Sequence, residues 1–383
     1  REAWDGYIEK AFKDASSSDS QNTDWVLKIA TASDLTLEGS PEQIRKQLTE
    51  LYKKEYVEEW RKFMQGVTIA DFASFEQAVE RMNRLGDAQN SPIRKLVQLL
   101  FDQTSWDNPS LINERLASTQ KGAMEWFKQT ILRQAPSRVE MNVNLQSGQA
   151  QIPLGPIGRE FAPLARIVMS RDATPAPLAD YLQALGKVRT RFNQIRTQGD
   201  PGPGARTLMA QTLEGGASEL SETLRLVDER MLVGLTPSAR EALRPLLVRP
   251  LTQAMSALVP AAETELNRQW SAQVHEPFTR TLAAKFPFDP ASRVEATSAE
   301  IAKLLGGGGA IAKFGAETLG QLVINRGNVI EPRTWGDVGI RLKPEFAGGY
   351  PAWVGVSDLG GGASGGGGST GGGGSAPAAN QTV

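Results

Sequence analysis

Apolar residues recur every three or four positions along most of this chain, which is the period of an α-helix with one buried face. In two stretches the spacing is strictly four, so the apolar face turns by about 40° at each step. These residues are Leu48, Tyr52, Tyr56, Trp60 and Met64 in the first stretch, and Leu266, Trp270, Val274, Phe278, Leu282 and Phe286 in the second. Such helices need partners on more than one side. The pattern therefore predicts a mainly α fold built from packed helices.

Capping residues and prolines divide the first part of the chain into four successive helices. The first three are predicted to start at Pro41, which follows Ser40, at Asp71, and at Pro92, which follows Ser91. The fourth is predicted over residues 111–135. The second helix is predicted to close at Gly86, because a residue without a Cβ readily takes the left-handed conformation that ends many helices. Together these helices predict an N-terminal bundle over residues 1–135.

The best-marked helix of the second half opens at Pro177 and carries seven apolar residues on one face. They are Leu178, Tyr181, Leu182, Leu185, Val188, Phe192 and Ile195. Further on, Pro237 and Pro250 are predicted to separate short helical pieces from a long helix. That helix is predicted to run to residue 286 and to kink at Pro277, which lacks a backbone donor.

Shifts in composition set the predicted domain boundaries. An irregular excursion rich in Pro and Gly, over residues 136–163, separates the N-terminal bundle from a second helical domain over residues 164–290. Residues 291–358 are predicted to form a small mixed segment, with short helices followed by short strands and turns. Residues 359–383 are predicted to be a flexible Gly/Ser-rich spacer, native or engineered, because 11 of the 16 residues from 360 to 375 are Gly. The expected architecture is two successive helical bundles, a short α/β or β-containing segment and a disordered tail.

The charge balance and the residue types exclude several functions. Lys and Arg number 42 and Asp and Glu 43, a net charge of −1, so no bulk charge favours nucleic acid or anionic lipid. No apolar run approaches the roughly 18 residues needed to span a bilayer. The chain has no Cys and its one His is His275, which excludes thiolate sites and metal sites that need two imidazoles. No cofactor, metal ligand or nucleic-acid partner is predicted.

These observations leave three classes of function open. Helical arrays with wide apolar faces and no reactive constellation predict a structural or binding module without catalytic residues. A peptidoglycan-processing enzyme would need two carboxylates about 5 to 10 Å apart, and neighbouring pairs such as Glu58 and Glu59 point about 100° apart on a helix. A helical ligand-binding receptor would need a large apolar pocket.

Seven short sequence blocks keep a distinctive order along the chain. They are Asp24–Leu27, Leu51–Tyr56, Trp60–Phe63, Ser91–Ile93, Leu266–Trp270, Lys285–Pro290 and Arg333–Trp335. Together they resemble the periplasmic region of the TssM (IcmF) family, the large inner-membrane subunit of bacterial type VI secretion systems. The likeness extends over about residues 1–355. With the start of the chain at Arg1, it predicts a piece of a longer protein.

The resemblance implies a non-enzymatic structural scaffold in the periplasm. It implies assembly with other copies of the chain, with TssL on the inner-membrane side, and with the outer-membrane lipoprotein TssJ. The TssJ contact is expected mainly through a C-terminal β domain that is largely missing from this chain. It also implies that the matched aromatic residues pack the core, so that truncating each to Ala costs about 3 to 5 kcal/mol. These residues are Trp25, Tyr52, Tyr56, Trp60, Trp270, Phe286 and Phe288.

Overall fold

The computed structural model describes residues 3–16, 41–105, 107, 155–169, 175–215 and 218–356. They fall into two compact units. The first unit comprises the described residues up to Glu265 together with Pro332–Arg341, and the second comprises Leu266–Glu331 and the described residues from Leu342 onward. Helices dominate both units, and the strands described form one two-stranded antiparallel sheet, which confirms the predicted mainly α fold.

The first unit is built from nine helices within the described residues. They are α1 (Glu9–Ser16), α2 (Pro41–Gly66), α3 (Phe75–Leu85), α4 (Pro92–Thr104), α5 (Pro156–Val168), α6 (Pro177–Thr197), α7 (Pro201–Leu213), α8 (Glu219–Leu226) and most of α9 (Pro237–Trp270). A π-helical turn, Trp4–Ile8, precedes α1, and another, Val227–Met231, follows α8. The helix predicted over residues 111–135 lies outside the described residues.

The core of the first unit is organised around α6. All seven residues predicted for its apolar face are buried, because spacings of three and four residues keep them on one stripe. The helix packs against α3, α5, α7 and α8. Phe192 stacks on Phe75 of α3, with ring centroids 5.7 Å apart. The buried Tyr181 hydroxyl donates a hydrogen bond of 2.8 Å to the carbonyl oxygen of Leu247 in α9.

Two details at the ends of α3 differ from the prediction. The N-cap is Ser74, whose hydroxyl accepts a backbone hydrogen bond in the first turn, and Asp71 instead pairs with Arg249 at 2.7 Å. Gly86 follows the last turn with a φ of −86°, so no left-handed conformation requires glycine there. A Cβ on Gly86 would lie 2.8 Å from the carbonyl oxygen of Leu185. Glycine is therefore needed because α3 and α6 approach each other closely.

Helix α9 is continuous for 34 residues, whereas its prolines predict separate pieces. Pro245, Pro250 and Pro260 all lie inside it. A proline within an isolated helix costs about 3 kcal/mol, because it removes a backbone donor and its ring crowds the preceding turn. Burial of apolar side chains along the helix offsets this cost. These side chains include Leu243, Leu246, Leu247, Leu251, Met255 and Leu258. Tertiary packing thus overrides the local signal.

The described part of the predicted irregular excursion is helical. Helix α5 begins at Pro156 and continues past Pro163. The carboxylate of Asp107 accepts hydrogen bonds from the backbone N–H groups of Ile157 and Gly158, at 3.3 and 2.5 Å, and so caps the helix from a distant position. Helix α5 packs against α2, α4 and α6. Helices on either side of the predicted boundary therefore belong to one unit, a division different from the predicted one.

The second unit consists of short elements. They are a π-helical turn (Ser271–His275), α10 (Glu276–Thr281), α11 (Ser298–Leu304), α12 (Ala310–Lys313), a π-helical turn (Phe314–Leu319), a 3-10 turn (Gly320–Leu322), β1 (Val323–Arg326), β2 (Val329–Pro332) and α13 (Pro344–Val354). The predicted long helix ends at Thr281 instead of residue 286. Within the described residues, strands are confined to one hairpin. The strands and turns predicted near the end of this segment are replaced by α13, because Phe346, Tyr350 and Trp353 recur with the period of a helix that opens at Pro344.

Candidate functional site

A continuous row of aromatic rings follows α1 and α2. We call Trp4, Phe12, Tyr52, Tyr56, Trp60 and Phe63 the aromatic row. Trp4 contacts both Phe12 and Tyr52, with ring centroids 5.8 and 5.0 Å apart. Along α2 the successive centroids lie 5.8, 6.1 and 5.3 Å apart. Aromatic pairs at such separations contribute about 0.5–1.5 kcal/mol beyond the burial of their surface. The row therefore stiffens the contact between the two helices.

The aromatic row is only half-buried. Tyr52, Tyr56 and Trp60 have intermediate exposure, and Phe63 is exposed. The Tyr56 hydroxyl donates a hydrogen bond of 3.0 Å to the carbonyl oxygen of Gln103, which joins α2 to α4. Burial, with a smaller contribution from Tyr56, raises the pKa of the Tyr52 hydroxyl above its ordinary value. Tyr52 and Tyr56 thus act as packing groups, and the Tyr56 hydroxyl also links two helices.

A second aromatic cluster lies in the second unit. Phe314 in it is buried, whereas Trp270, Phe346, Tyr350 and Trp353 have intermediate exposure. Trp270 meets Phe314 and Phe346 edge to face, with centroids 5.2 Å apart in both pairs. Phe346 also contacts Tyr350 and Trp353 on its own helix, at 5.8 and 6.0 Å. Contacts between the rings therefore join α13 to the end of α9 and to the π-helical turn Phe314–Leu319.

The structure places most of the predicted packing residues in these two groups. Tyr52, Tyr56 and Trp60 belong to the aromatic row, and Trp270 belongs to the second cluster. Phe288 packs edge to face on Phe278, with centroids 5.4 Å apart. Trp25 lies outside the described residues.

Phe286 is exposed over 48% of its surface, so the prediction that it packs the core is wrong. The four-residue repeat places Phe286 on the apolar face only if the helix continues, and α10 ends at Thr281. Phe286 instead lies beside the segment that follows. Its N–H donates to the carbonyl oxygen of Val294 and its carbonyl oxygen accepts from the N–H of Ala296, both at 2.9 Å. Backbone hydrogen bonds, and not the ring, hold it in place.

A charged cleft of about 830 Å³ lies beside α2. Its lining residues are Lys13, Glu42, Arg45, Lys46, Thr49, Glu50, Lys53, Lys54, Pro156 and Arg159. Six of them are cationic and two are carboxylates, and we call this feature the basic cleft. None of the rings of the aromatic row lines it. Charged residues three or four apart along α2 share one face, but no local pattern indicates that Lys13 and Arg159 join them.

Asp107 is a buried anchor that the sequence analysis also missed. Its side chain is 4% exposed, and the Lys53 ammonium lies 3.3 Å from its carboxylate. The same carboxylate caps α5, so one group joins α2 to α5. A buried carboxylate is tolerated only when it is paired and hydrogen-bonded. No local pattern indicates this role, because the residues concerned are far apart in sequence.

A second polar anchor holds the segment Pro332–Arg341 on α9. The Arg341 guanidinium donates to both carboxylate oxygens of Glu263, at 3.1 and 2.8 Å, and the Arg341 backbone N–H donates to the same carboxylate at 2.8 Å. These bonds hold the pKa of Glu263 below its usual value. Ile340 beside them is buried. The anchor is therefore structural.

The shifted carboxyl groups do not suit acid catalysis. Hydrogen bonds from Lys285 and Thr297 lower the pKa of Glu300 to about 2, and backbone hydrogen bonds lower the pKa of Asp87. The pKa of Glu263 is lowered as well, so all three of these carboxyl pKa shifts are downward. A general acid of a glycosidase needs a raised pKa.

The positions of the other candidate catalytic groups do not suit acid catalysis either. Glu42 and Glu50 share the basic cleft but lie eight residues apart on α2, about 12 Å along its axis, beyond the spacing of a glycosidase pair. His275 is exposed. Within the part of the chain that the structure describes, no group of three or more His, Asp or Glu side chains is placed to hold a metal ion.

Two family models match this chain, one over its first part and one over a later part. Residues 1–105 match the family described as "IcmF-related: Intracellular multiplication and human macrophage-killing", and residues 260–359 match the "Type VI secretion protein IcmF helical domain". The type VI secretion system component TssM1 of Pseudomonas aeruginosa is 22% identical over 293 residues, 76% of this chain. The chain belongs to the TssM (IcmF) family. It spans about 25% of the length of that curated relative.

Two solved structures share the fold of this TssM-family chain. A chain of a type VI secretion system membrane core complex has a TM-score of 0.63 and 20% identity, covering 90% of this chain and 58% of its own. A chain of a type VI membrane complex has a TM-score of 0.55 and 20% identity, covering 84% of this chain and 55% of its own. Among the described helices, none combines the length and the apolar character required to cross a bilayer.

Proposed function

We propose that this chain is a non-enzymatic structural scaffold within a type VI secretion membrane complex. The observation that carries the proposal is the fold, which follows a chain of such a complex over 90% of the length of this one. The packing agrees with it, because the aromatic residues contact one another and the shifted carboxyl groups are bound in structural hydrogen bonds. Such a scaffold works by presenting rigid helical surfaces to other proteins.

The finer proposal concerns place and partners. The chain lies in the periplasm and assembles with other copies of itself, with TssJ, mainly through the C-terminal β domain of the family, and with TssL at the inner membrane. Membership of the TssM family supports this arrangement. Exposed apolar side chains such as Val233 and Leu99 supply contact surface for helical neighbours.

Cysteine labelling in the cell tests the periplasmic placement. The chain has no Cys, so the substitution Val233→Cys, at a position 56% exposed, introduces a single reactive thiol into it. In the full-length protein, cleared of any other Cys, a membrane-impermeant maleimide should label this thiol once the outer membrane alone is permeabilised. The parent protein without the substitution should stay unlabelled. Labelling that appears only after lysis of the inner membrane contradicts the placement.

Purified protein tests the scaffold role. We expect the sedimentation mass of the chain to rise with concentration, and a longer family chain that includes the β domain to bind TssJ. Incubation with peptidoglycan should release no more muropeptides than a heat-denatured sample does. Release well above that control would favour the enzyme alternative, and absence of TssJ binding by the longer chain would remove the proposed partner.

A further inference from the structure

We propose that the basic cleft beside α2 is a binding site for ligands that carry two or more phosphate groups. The site is independent of the scaffold role and uses none of the residues of the aromatic row. It is formed within the first unit, by residues of α1, α2 and α5.

The charge in the cleft is unlike that of the whole chain. The chain has a net charge of −1, whereas the cleft brings six cationic side chains together with two carboxylates. Lys53 is balanced in part by the buried Asp107. Arg45, Lys46, Lys54 and Arg159 form no salt bridge with any carboxylate in the described residues. Their mutual repulsion is relieved when an anion enters the cleft.

The cations are held in position by the fold. Residues 42, 45, 46, 49, 50, 53 and 54 repeat at three- and four-residue steps, so their side chains lie along one stripe of α2. Lys13 approaches from α1 and Arg159 from α5. Helix α5 is fixed against α2 by the Asp107 carboxylate, which caps α5 and contacts Lys53. A site whose walls are already in place loses less entropy when a ligand binds.

The lining favours phosphate over a protein partner. Protein interfaces have cores rich in Tyr, Trp, Phe and Met and poor in Lys and Glu, whereas this lining has three lysines on α2 alone and no aromatic residue. A volume of about 830 Å³ lies in the range of small-molecule sites. Lysine binds phosphate as a point charge, and the arginine guanidinium matches two phosphate oxygens at once.

The test compares two double variants of the whole chain that change the net charge equally. Arg45→Gln with Lys46→Gln removes two cations from the cleft. Lys62→Gln with Arg84→Gln removes two exposed cations that lie in local pairs with Glu59 and Glu80. Each protein is titrated with inorganic pyrophosphate at low salt. Each is also sedimented with phosphatidylcholine vesicles that do or do not contain diphosphatidylglycerol, whose headgroup carries two phosphates.

We expect the cleft variant to bind at least one of these probes about tenfold more weakly than the parent, and the control variant to bind it as the parent does. Binding to pyrophosphate alone identifies a small soluble ligand, and binding to diphosphatidylglycerol vesicles alone identifies a lipid headgroup; both support the site. Equal loss in the two variants, or no binding to either probe, overturns it. Binding of an acidic poly-glutamate peptide and of neither phosphate probe overturns it in favour of a protein ligand.

A measurement on the parent protein guards against misfolding of the variants. Hydrogen exchange with and without saturating probe should show slower exchange confined to residues 42–54 and the first turn of α5. Slower exchange elsewhere, with none in these segments, contradicts the proposed location.

Discussion

Helices α6 and α2 both carry long regular rows of apolar residues, yet they are buried to very different degrees. In α6, spacings of three and four residues are mixed and all seven side chains are buried. In α2, the steps are strictly four and the aromatic row along it remains half-exposed. An α-helix has 3.6 residues per turn, so a strict step of four carries the row around the helix and away from any single partner.

The comparison teaches that ring size alone does not predict a core position. The second stretch with a step of four shows the same effect in a stronger form. Val274 is buried and Trp270 is half-buried against Phe314 and Phe346, whereas Phe286 lies beyond the end of α10 and is exposed. The free energy that a side chain contributes to folding should therefore follow its burial. Four measurements test this, from the largest expected effect to the smallest.

Truncation of two phenylalanines tests the comparison most directly. Phe192→Ala should lower the free energy of unfolding by about 3–5 kcal/mol, because the fully buried ring leaves a cavity and loses its stacking with Phe75. Phe286→Ala is the matched control and should cost less than about 1 kcal/mol, because half of its ring is already in water. Urea denaturation measures both. Equal losses would show that burial does not govern these sites.

Truncation within the aromatic row should give an intermediate effect. Trp60→Ala should lower the free energy of unfolding by about 1–2 kcal/mol, since the ring has intermediate exposure and contacts Tyr56 and Phe63. The same urea experiment measures it. A loss as large as that of Phe192→Ala would mean that the row is a core in its own right, and the contrast between α2 and α6 would fail.

Removal of single hydroxyl groups sharpens the comparison without changing packing. Tyr181→Phe should cost about 1–1.5 kcal/mol, because the fully buried carbonyl oxygen partner in α9 loses a donor that water cannot replace. Tyr56→Phe should cost about 0.5 kcal/mol, because its bond to Gln103 is only part-buried and water can take the place of the hydroxyl. Thermal unfolding of the two variants checks the order, and the reverse order would contradict it.

The segment that follows Phe286 should lose stability at low pH. Lys285 lies 2.6 Å from Glu300, which also closes a capping box with Thr297 at the start of α11. The folded-state pKa of Glu300 is lowered from 4.5 to about 2, so its stabilising contribution is complete above pH 4.5 and is lost as the pH falls towards 2.

Glu300→Gln should remove this pH-dependent part, so that the stability of the variant falls less than that of the parent between pH 4.5 and 2. Hydrogen exchange in α11, followed across that pH range, measures the difference. Glu295→Gln, at an exposed position in the same segment, is the control and should keep the pH dependence of the parent. An unchanged acid profile in Glu300→Gln would show that the capping box does not hold this segment.

Much of the fold follows from local patterns. A proline that follows a serine marks the starts of α2 and α4, and Pro177 marks the start of α6. The mixed spacing of three and four residues predicts every buried residue of α6. These features depend on neighbours within one or two turns, and residue spacing alone is sufficient to determine them.

Other features depend on residues that are far apart in sequence. The cap of α5 comes from Asp107, and the need for glycine at Gly86 arises from the backbone of Leu185. Helix α9 survives three prolines because its side chains are buried by other helices. The basic cleft exists because three helices bring their cations together.

The amino-acid sequence by itself determined that this protein is helical, where most helices begin, and which faces are apolar, because backbone propensity and side-chain period are local properties. The tertiary structure decided which apolar faces are covered, where a helix tolerates proline, and which charged groups meet. These outcomes are set by the free energy of contacts between distant segments, and that free energy is not expressed in the spacing of any one helix.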